Sequence, residues 1–535
     1  MKSIKKFLAV ILSMTLMLTL GTAAFGAQKT LPSGKDTGSI NVTNLKPGDT
    51  VTAYQFVKAD YNEYGFTGYS AINNYVKDPV APTAQEVIDM ASNAATMTVA
   101  AEKKVATGDT EVTLNGLPVG YYLVMVTSGS ETVYSPMIAG IYYSKSATDN
   151  TLTNGAISAD SDFEIKAQKC WAKSSTPKLE KTIVTPSSKN SKGDDIAIGD
   201  KITFNLSATV PSYSKEYKKV TYKIYDIMSE GLDYVDGSMK CFIEKYENNR
   251  ENIKVTPKVN GGIIEITFDS KFILEHPGQK IQVEYQAKLN EKAGVNFDAN
   301  INKAYLEYSN NPASGSTAKT GEDKVYVYTF GINSNLFGKS TEKWNEKTKE
   351  LIKVEEGEYQ WVETEKESGI FTTTTALEGA TFTLTNNKTK KSYTATSDKY
   401  GYLKFTGLDA GEYTLQETDA PDGFTLNDAK HTVVITAEYN QDGTLKSYTI
   451  KIDDKATSTY TATYDKGVIK TITSTKDSQG NISESAILKN SKMSFLPSTG
   501  GVGTTIFAIV GVVFVAAALG LHMILRGKSK LEQDR

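Results

Sequence analysis

Apolar and polar positions alternate in short runs along much of this chain. Residues Thr381-Phe382-Thr383-Leu384-Thr385, Tyr413-Thr414-Leu415-Gln416-Glu417 and Thr432-Val433-Val434-Ile435-Thr436 place apolar and polar groups on mostly opposite faces. That period of two is what a half-buried strand requires. Turns at Lys399-Tyr400-Gly401 and Asp409-Ala410-Gly411 separate the first two runs. One segment, Thr83 to Ala95, has a helical pattern instead, with Thr83 as cap and Glu86 completing a capping box ahead of Val87-Ile88. The pattern predicts an all-β chain of tandem immunoglobulin-like β-sandwiches.

Two apolar runs lack alternation. Phe7 to Leu20 follows Lys2, Lys5 and Lys6 and precedes the small-residue stretch Ala24-Phe25-Gly26, so residues 1–26 read as a secretory signal peptide. The second run, 501–525, is 25 residues long, roughly 37 Å as a helix, and predicts one C-terminal membrane span. Arg526, Lys528 and Lys530 in the basic tail 526–535 keep that end in the cytoplasm and put everything before residue 501 outside.

Between these ends, about 473 residues divide into three at roughly 150 per domain. Lys173-Ser174-Ser175-Thr176-Pro177 reads as a linker, and Ser309-Asn310-Asn311-Pro312-Ala313-Ser314-Gly315 as a loop before the strand that leads into the next unit. The expected domains are 27–172, 173–328 and 329–493.

Composition narrows the function. Thirty tyrosines, many threonines and valines, and Gly, Asn and Asp between short runs reinforce the β reading. A net charge of −3 without a long basic run gives no sign of nucleic-acid binding. The only histidines are His276, His431 and His522, which leaves metal or histidine-dependent catalysis without a basis, so no metal, cofactor or enzymatic turnover is expected. Cys170 and Cys241 could form one disulfide after export, but their spacing carries no framework signal. Glu417 shares a strand face with Tyr413 and Leu415; if that face is the core, the carboxyl is buried and kept in its neutral form.

Leu496-Pro497-Ser498-Thr499-Gly500, the span and the basic tail together resemble the three-part sorting signal of Gram-positive surface proteins. The resemblance implies that a sortase thiol attacks the Thr499 carbonyl, expels Gly500 onward and hands Thr499 to an amine. Pro497 fixes its own φ and biases Leu496 toward extended backbone, which suits a peptide held in a groove. Tyr413-Thr414-Leu415-Gln416-Glu417-Thr418-Asp419-Ala420-Pro421-Asp422-Gly423-Phe424, after Leu377-Glu378-Gly379-Ala380-Thr381-Phe382 and Tyr400 to Leu408, resembles the collagen-adhesin B-type (CnaB) domain. In that family a buried acid assists a lysine in attacking an Asn amide, giving an intramolecular isopeptide bond.

The resemblance assigns Glu417 as the acid and Asn490 as the amide. The lysine's usual place, after Thr329-Phe330-Gly331-Ile332, holds Leu336, and Lys339 is the nearest candidate. The middle domain resembles the isopeptide domains of pilin shafts through Pro177-Lys178-Leu179-Glu180-Lys181-Thr182, Tyr225 to Leu232, and Asn302-Lys303-Ala304-Tyr305, implying a triad of Lys181, Asp226 and Asn302. The first domain carries the parallel stretch Gly116 to Val126, with Val126 in the place of Glu417, so no isopeptide bond is expected there. Trp171-Ala172-Lys173 takes the place of the family's Tyr-Pro-Lys strand, which makes Lys173 the inter-subunit lysine, with Lys169 as alternative.

The whole resembles the sortase-assembled major (backbone) pilins. That implies a structural subunit of a covalent surface pilus supporting adhesion, attached to the cell wall after export. Its partners would be a sortase, further copies of itself, minor pilins and peptidoglycan, with no receptor identified by the sequence. The alternative is a wall-anchored adhesin that is never polymerised.

Overall fold

The computed structural model describes residues 31–492 apart from internal segments, the longest being 145–155, 339–348, 364–372 and 475–486. The signal peptide, the motif 496–500, the predicted span 501–525 and Lys339 lie outside the described residues. Among those described, no helix is long and apolar enough to cross a membrane.

The described chain is all-β, its strands gathered into pairs of facing sheets. In the first pair, Thr37–Thr43 lies between Lys169–Trp171 and Glu111–Pro118. This packs on a sheet ordered Gly65–Ala71, Thr50–Asn62, Gly120–Thr127, Met137–Ser144, Glu164–Ala167. Ile40, Val42, Tyr122, Val124 and Tyr143 fill the space between them. The predicted helix forms over Ala84–Ser92 with the Thr83/Glu86 capping box in place, and the chain tightens into a 3-10 turn at Ala94–Thr96. A second helix, Ser270–Glu275, escaped the sequence pattern because it is little more than one turn; the Asp269 side chain caps it by accepting from Phe272 N–H.

In the second pair, one sheet runs Leu179–Ile183, Lys201–Thr209, Lys280–Leu289, Lys240–Tyr246, Asn249–Ile253. The facing sheet runs Gly193–Asp195, Asp323–Tyr328, Asn300–Asn311, Tyr222–Met228, Ile263–Thr267, Lys258–Asn260. The stretch Ser309 to Gly315 is the end of a strand and a hairpin turn, because Asn300–Asn311 pairs back with Ser316–Lys319. The linker stretch is also tied down: Ser174–Ser175 pairs with Val133–Tyr134, and Ser135 N–H donates to the Lys173 carbonyl. Cys170 belongs to the first core and Cys241 to the second, so the two thiols stay apart and free.

In the third pair, Phe330–Gly338 lies parallel to Ile487–Lys492, joining early and late strands of that unit. The facing sheet contains Thr381–Asn386, Gly411–Asp419 and Lys430–Tyr439 as neighbours, the three strands predicted from alternation. This unit is seated firmly on the second. Asn190 Nδ2 donates to Asn440 O (2.6 Å), Ile198 N–H to Gly407 O (2.9 Å) and Leu445 N–H to the Tyr328 hydroxyl (2.9 Å). A Cβ at Gly193 would stand 2.2 Å from Gly443 O, and one at Gly443 would stand 2.3 Å from Lys192 O, so the two backbones touch only because both residues are glycine.

Candidate functional site

Between the two sheets of the middle unit lies a polar cluster with no exposure to solvent. Lys181 comes from the strand Leu179–Ile183, whose inward positions are Leu179, Lys181 and Ile183. Asp226 occupies an inward position of Tyr222–Met228, and Asn302 sits two residues away in register, opposite Met228, on the neighbouring strand. All three are fully buried. Lys181 Nζ donates to Asp226 Oδ2 in a very short contact and to the Tyr285 hydroxyl at 3.2 Å. The Tyr285 hydroxyl donates to Asp226 Oδ1 at 2.7 Å and accepts from Asn302 Nδ2 at 2.7 Å. Asn302 Oδ1 has no hydrogen-bond partner.

Packing sets the chemistry of the amine. Nζ lies 5.0 Å from the centroid of the Phe204 ring and 5.3 Å from that of Tyr285. Burial pushes the Lys181 ammonium below the ordinary lysine range, with Asp226 pulling the other way. A desolvated amine that loses its proton to the adjacent carboxyl is a nucleophile, and an amide lies within reach of the same hydroxyl. The backbone of Lys181 is fixed from outside: Asp323 Oδ2 accepts from Lys181 N–H at 2.7 Å and from Lys192 Nζ at 2.6 Å, while Lys192 Nζ also donates to Lys181 O at 2.6 Å.

In the third unit, alternation along Gly411–Asp419 buries Tyr413, Leu415 and Glu417 together. Asn490 Nδ2 donates to both Glu417 oxygens at 2.7 and 2.8 Å and to Thr425 O at 3.3 Å, and Asn427 N–H donates to Glu417 Oε2 at 2.6 Å. Both side chains are about 1% exposed, and Asn490 Oδ1 has no hydrogen-bond partner. The parallel register pairs Gly338 with Asn490, and Lys339, the next residue, lies outside the described set.

The first unit has an apolar side chain at the matching place: Val126 is buried in its core. Lys169, Trp171 and Lys173 are exposed and alternate with buried Cys170 and Ala172 at the edge of the three-stranded sheet. Ala172 is held by hydrogen bonds to Thr43 O and from Asn44 Nδ2, so Lys173 projects from a fixed backbone.

Sequence reasoning missed Tyr285. Its signal was present, because Ile281, Val283, Tyr285, Ala287 and Leu289 alternate along Lys280–Leu289 and bring a phenol to the inner face. Asp323 and Lys192, which fix the lysine backbone, carried no pattern that marked them.

Buried lysine, acid and amide groups in β-sandwich units, ahead of a wall-sorting signal, give this cell-surface, wall-attached protein the features of the sortase-assembled major pilins, which it resembles. Residues 35–174 match the T6 antigen Ig-like domain, 371–453 the SpaA prealbumin-like fold domain, and 489–530 the LPXTG cell wall anchor motif. The chain is 26% identical to the trypsin-resistant surface T6 protein of Streptococcus pyogenes serotype M6, over 93% of this chain and 96% of that one. Its fold is similar to the structure of the T6 backbone pilin of serotype M6 Streptococcus pyogenes (TM-score 0.58, 20% identity, 86% of this chain and 100% of that one). The major pilin SpaD of Corynebacterium diphtheriae also aligns, at TM-score 0.48 and 16% identity over 88% of this chain and 100% of that one.

Proposed function

We propose that this chain is the shaft subunit of a covalent pilus whose units are cross-linked internally. The observation that carries the reading is the enclosed Lys181–Asp226–Asn302 cluster, which puts an amine and an amide on facing sheets with an acid between them. Lys181 Nζ attacks Asn302 Cγ, the Nζ–Cγ bond forms, the Cγ–Nδ2 bond breaks and ammonia leaves. Asp226 takes the proton that frees the amine. In the third unit Glu417 serves Asn490 in the same way, and Lys339 is the assigned nucleophile. Each reaction happens once per molecule, so the chain is a structural polymer and not an enzyme.

Subunits join when the Thr499 acyl group, cut from Gly500 by a sortase, is transferred to Lys173 of the next copy. Copies that meet the wall instead end the shaft. Minor pilins and an adhesive receptor complete the assembly, and no feature of this chain specifies them.

A denaturing gel of cell-wall extract tests the reading. The expected result is a high-mass ladder that collapses to monomer in Lys173→Ala and persists in Lys169→Ala. Collapse in Lys169→Ala alone would move the joint to that residue. A single unlinked band in the parent strain would refute polymerisation and leave a wall-anchored adhesin.

A further inference from the structure

The amine and the leaving nitrogen of the middle unit share one neighbour. The Tyr285 hydroxyl accepts from Lys181 Nζ at 3.2 Å and from Asn302 Nδ2 at 2.7 Å, and donates its own proton to Asp226 Oδ1 at 2.7 Å. A phenol has one proton and two lone pairs, and all three are engaged here by the three groups of the proposed reaction. We propose that Tyr285 is a further catalytic residue of isopeptide formation, a relay that carries a proton from Lys181 Nζ to the departing Asn302 nitrogen.

The need for such a relay follows from the bookkeeping of the step. Asp226 first receives one proton from the Lys181 ammonium, which leaves a neutral amine. Attack on Asn302 Cγ then places a surplus proton on Nζ, while Nδ2 must gain one to leave as ammonia. Once Asp226 is protonated and Nδ2 has become an amine in the tetrahedral adduct, the Tyr285 O–H turns from Asp226 Oδ1 to Nδ2; the phenol gives Nδ2 that proton as it accepts the one on Nζ, and it ends unchanged. One N–C bond has formed, one has broken, and no water is required in a cluster without solvent exposure.

Burial and the neighbouring Asp226 hold the Tyr285 phenol well above its ordinary ionisation range. It therefore works as a two-way conduit and never as a free phenolate. Asp226 also contacts Nζ, but among the contacts described only the Tyr285 hydroxyl touches both nitrogens.

The inference rests on the proposed isopeptide reaction, and the test separates the two. Intact mass and peptide mapping of the ectodomain follow the loss of about 17 Da per bond and locate it at Lys181 and Asn302. Tyr285→Phe keeps the ring that packs on Phe204, 5.5 Å between centroids, and removes the relay. The expected result is a folded protein, by circular dichroism, in which this bond matures at least about 100-fold more slowly than in the parent, the lower range for loss of a proton-transfer group. Tyr234→Leu loosens the packing on the same ring, 5.9 Å between centroids, without removing a hydrogen bond of the relay, and should mature fully.

Complete, prompt cross-linking in Tyr285→Phe overturns the relay, as does equal retardation in Tyr234→Leu. If the parent itself lacks the bond, the isopeptide reading falls and the relay with it. Should Tyr285→Phe not fold, 4-aminophenylalanine at position 285 carries the test, since its para amine can donate and accept. Maturation within about tenfold of the parent supports the relay, and absence of the bond in that folded protein overturns it.

Discussion

Replacing Lys181 by methionine removes the nucleophile while keeping an unbranched side chain against Phe204 and Tyr285. In the parent, the proposed Lys181–Asn302 bond would close a loop of about 120 residues, and the loop-entropy relation assigns such a link about 5 kcal/mol. In the bonded parent Nζ is a neutral amide nitrogen, so no cation desolvation is recovered, but native-state strain in such links commonly takes back part of the entropy figure. Asp226 keeps the Tyr285 hydroxyl as a donor, so the carboxyl is not stranded. A net loss of about 3–5 kcal/mol remains, which for a unit of some 150 residues lowers its melting temperature by about 10 °C or more. Calorimetry of the ectodomain should show one transition moving down while the others stay, together with a mass about 17 Da closer to the uncross-linked value. A transition unmoved within about 2 °C, in a parent whose mass proves the bond, would refute the view that this link staples the middle unit.

The same mass assay applied to Glu417→Ala should abolish the third-unit bond and leave the middle one intact; retention of both bonds would remove Glu417 from the chemistry. Cys170 and Cys241 are buried, with burial raising each thiol to about 12, so neither should react with iodoacetamide at pH 8 until the chain unfolds, when two alkylations appear. Fast labelling of native protein would contradict this. Asp195, at the joint between the second and third units, accepts from Ala410 N–H and the Tyr439 hydroxyl, and burial, with Asp194 and Asp409 adding to it, raises its carboxyl to about 6. The folded state then holds a proton that the unfolded chain releases near pH 4, so stability falls as pH rises from about 4 to 6 and levels above that, by at most about 3 kcal/mol. Asp195→Asn should flatten that window in urea titrations, and an unchanged slope would show that Asp195 is not its source.

What the sequence made legible was whatever a strand's own period encodes. Glu417 declared itself by sharing a face with Tyr413 and Leu415, and the strand Gly411–Asp419 buries all three. The helix at Ala84–Ser92 declared itself through a side-chain cap that is local in sequence. Period two reports a face, however, and not which residue stands across the gap between sheets. Lys181 and Tyr285 come from one sheet, Asp226 and Asn302 from the other, and their meeting depends on strand order and register that no local pattern contains. Tyr285 therefore passed as one of many core tyrosines. The linker reading of residues 173–177 gave way for a similar reason, since the partner of Ser174–Ser175 lies some forty residues earlier.

Connectivity supplies a reason for the uneven distribution of cross-links. On the proposed reading, in which Lys173 is the joint to the neighbouring subunit and Thr499 the other end, tension along the shaft would enter at residue 173 and leave at 499. The first unit lies before residue 173 and hangs beside that path, so its folding need not resist the pull, and Val126 can replace the acid without mechanical cost. In the second unit the load reaches Lys181 within eight residues and would cross directly to Asn302 through a covalent bond between the two sheets, bypassing the strands between them. In the third, Phe330–Gly338 and Ile487–Lys492 lie side by side and parallel, so pulling their outer ends shears the ladder all at once instead of peeling it pair by pair. Asn490 lies near the end of the last strand, where one covalent tie to the first strand would take the load before any of those hydrogen bonds does.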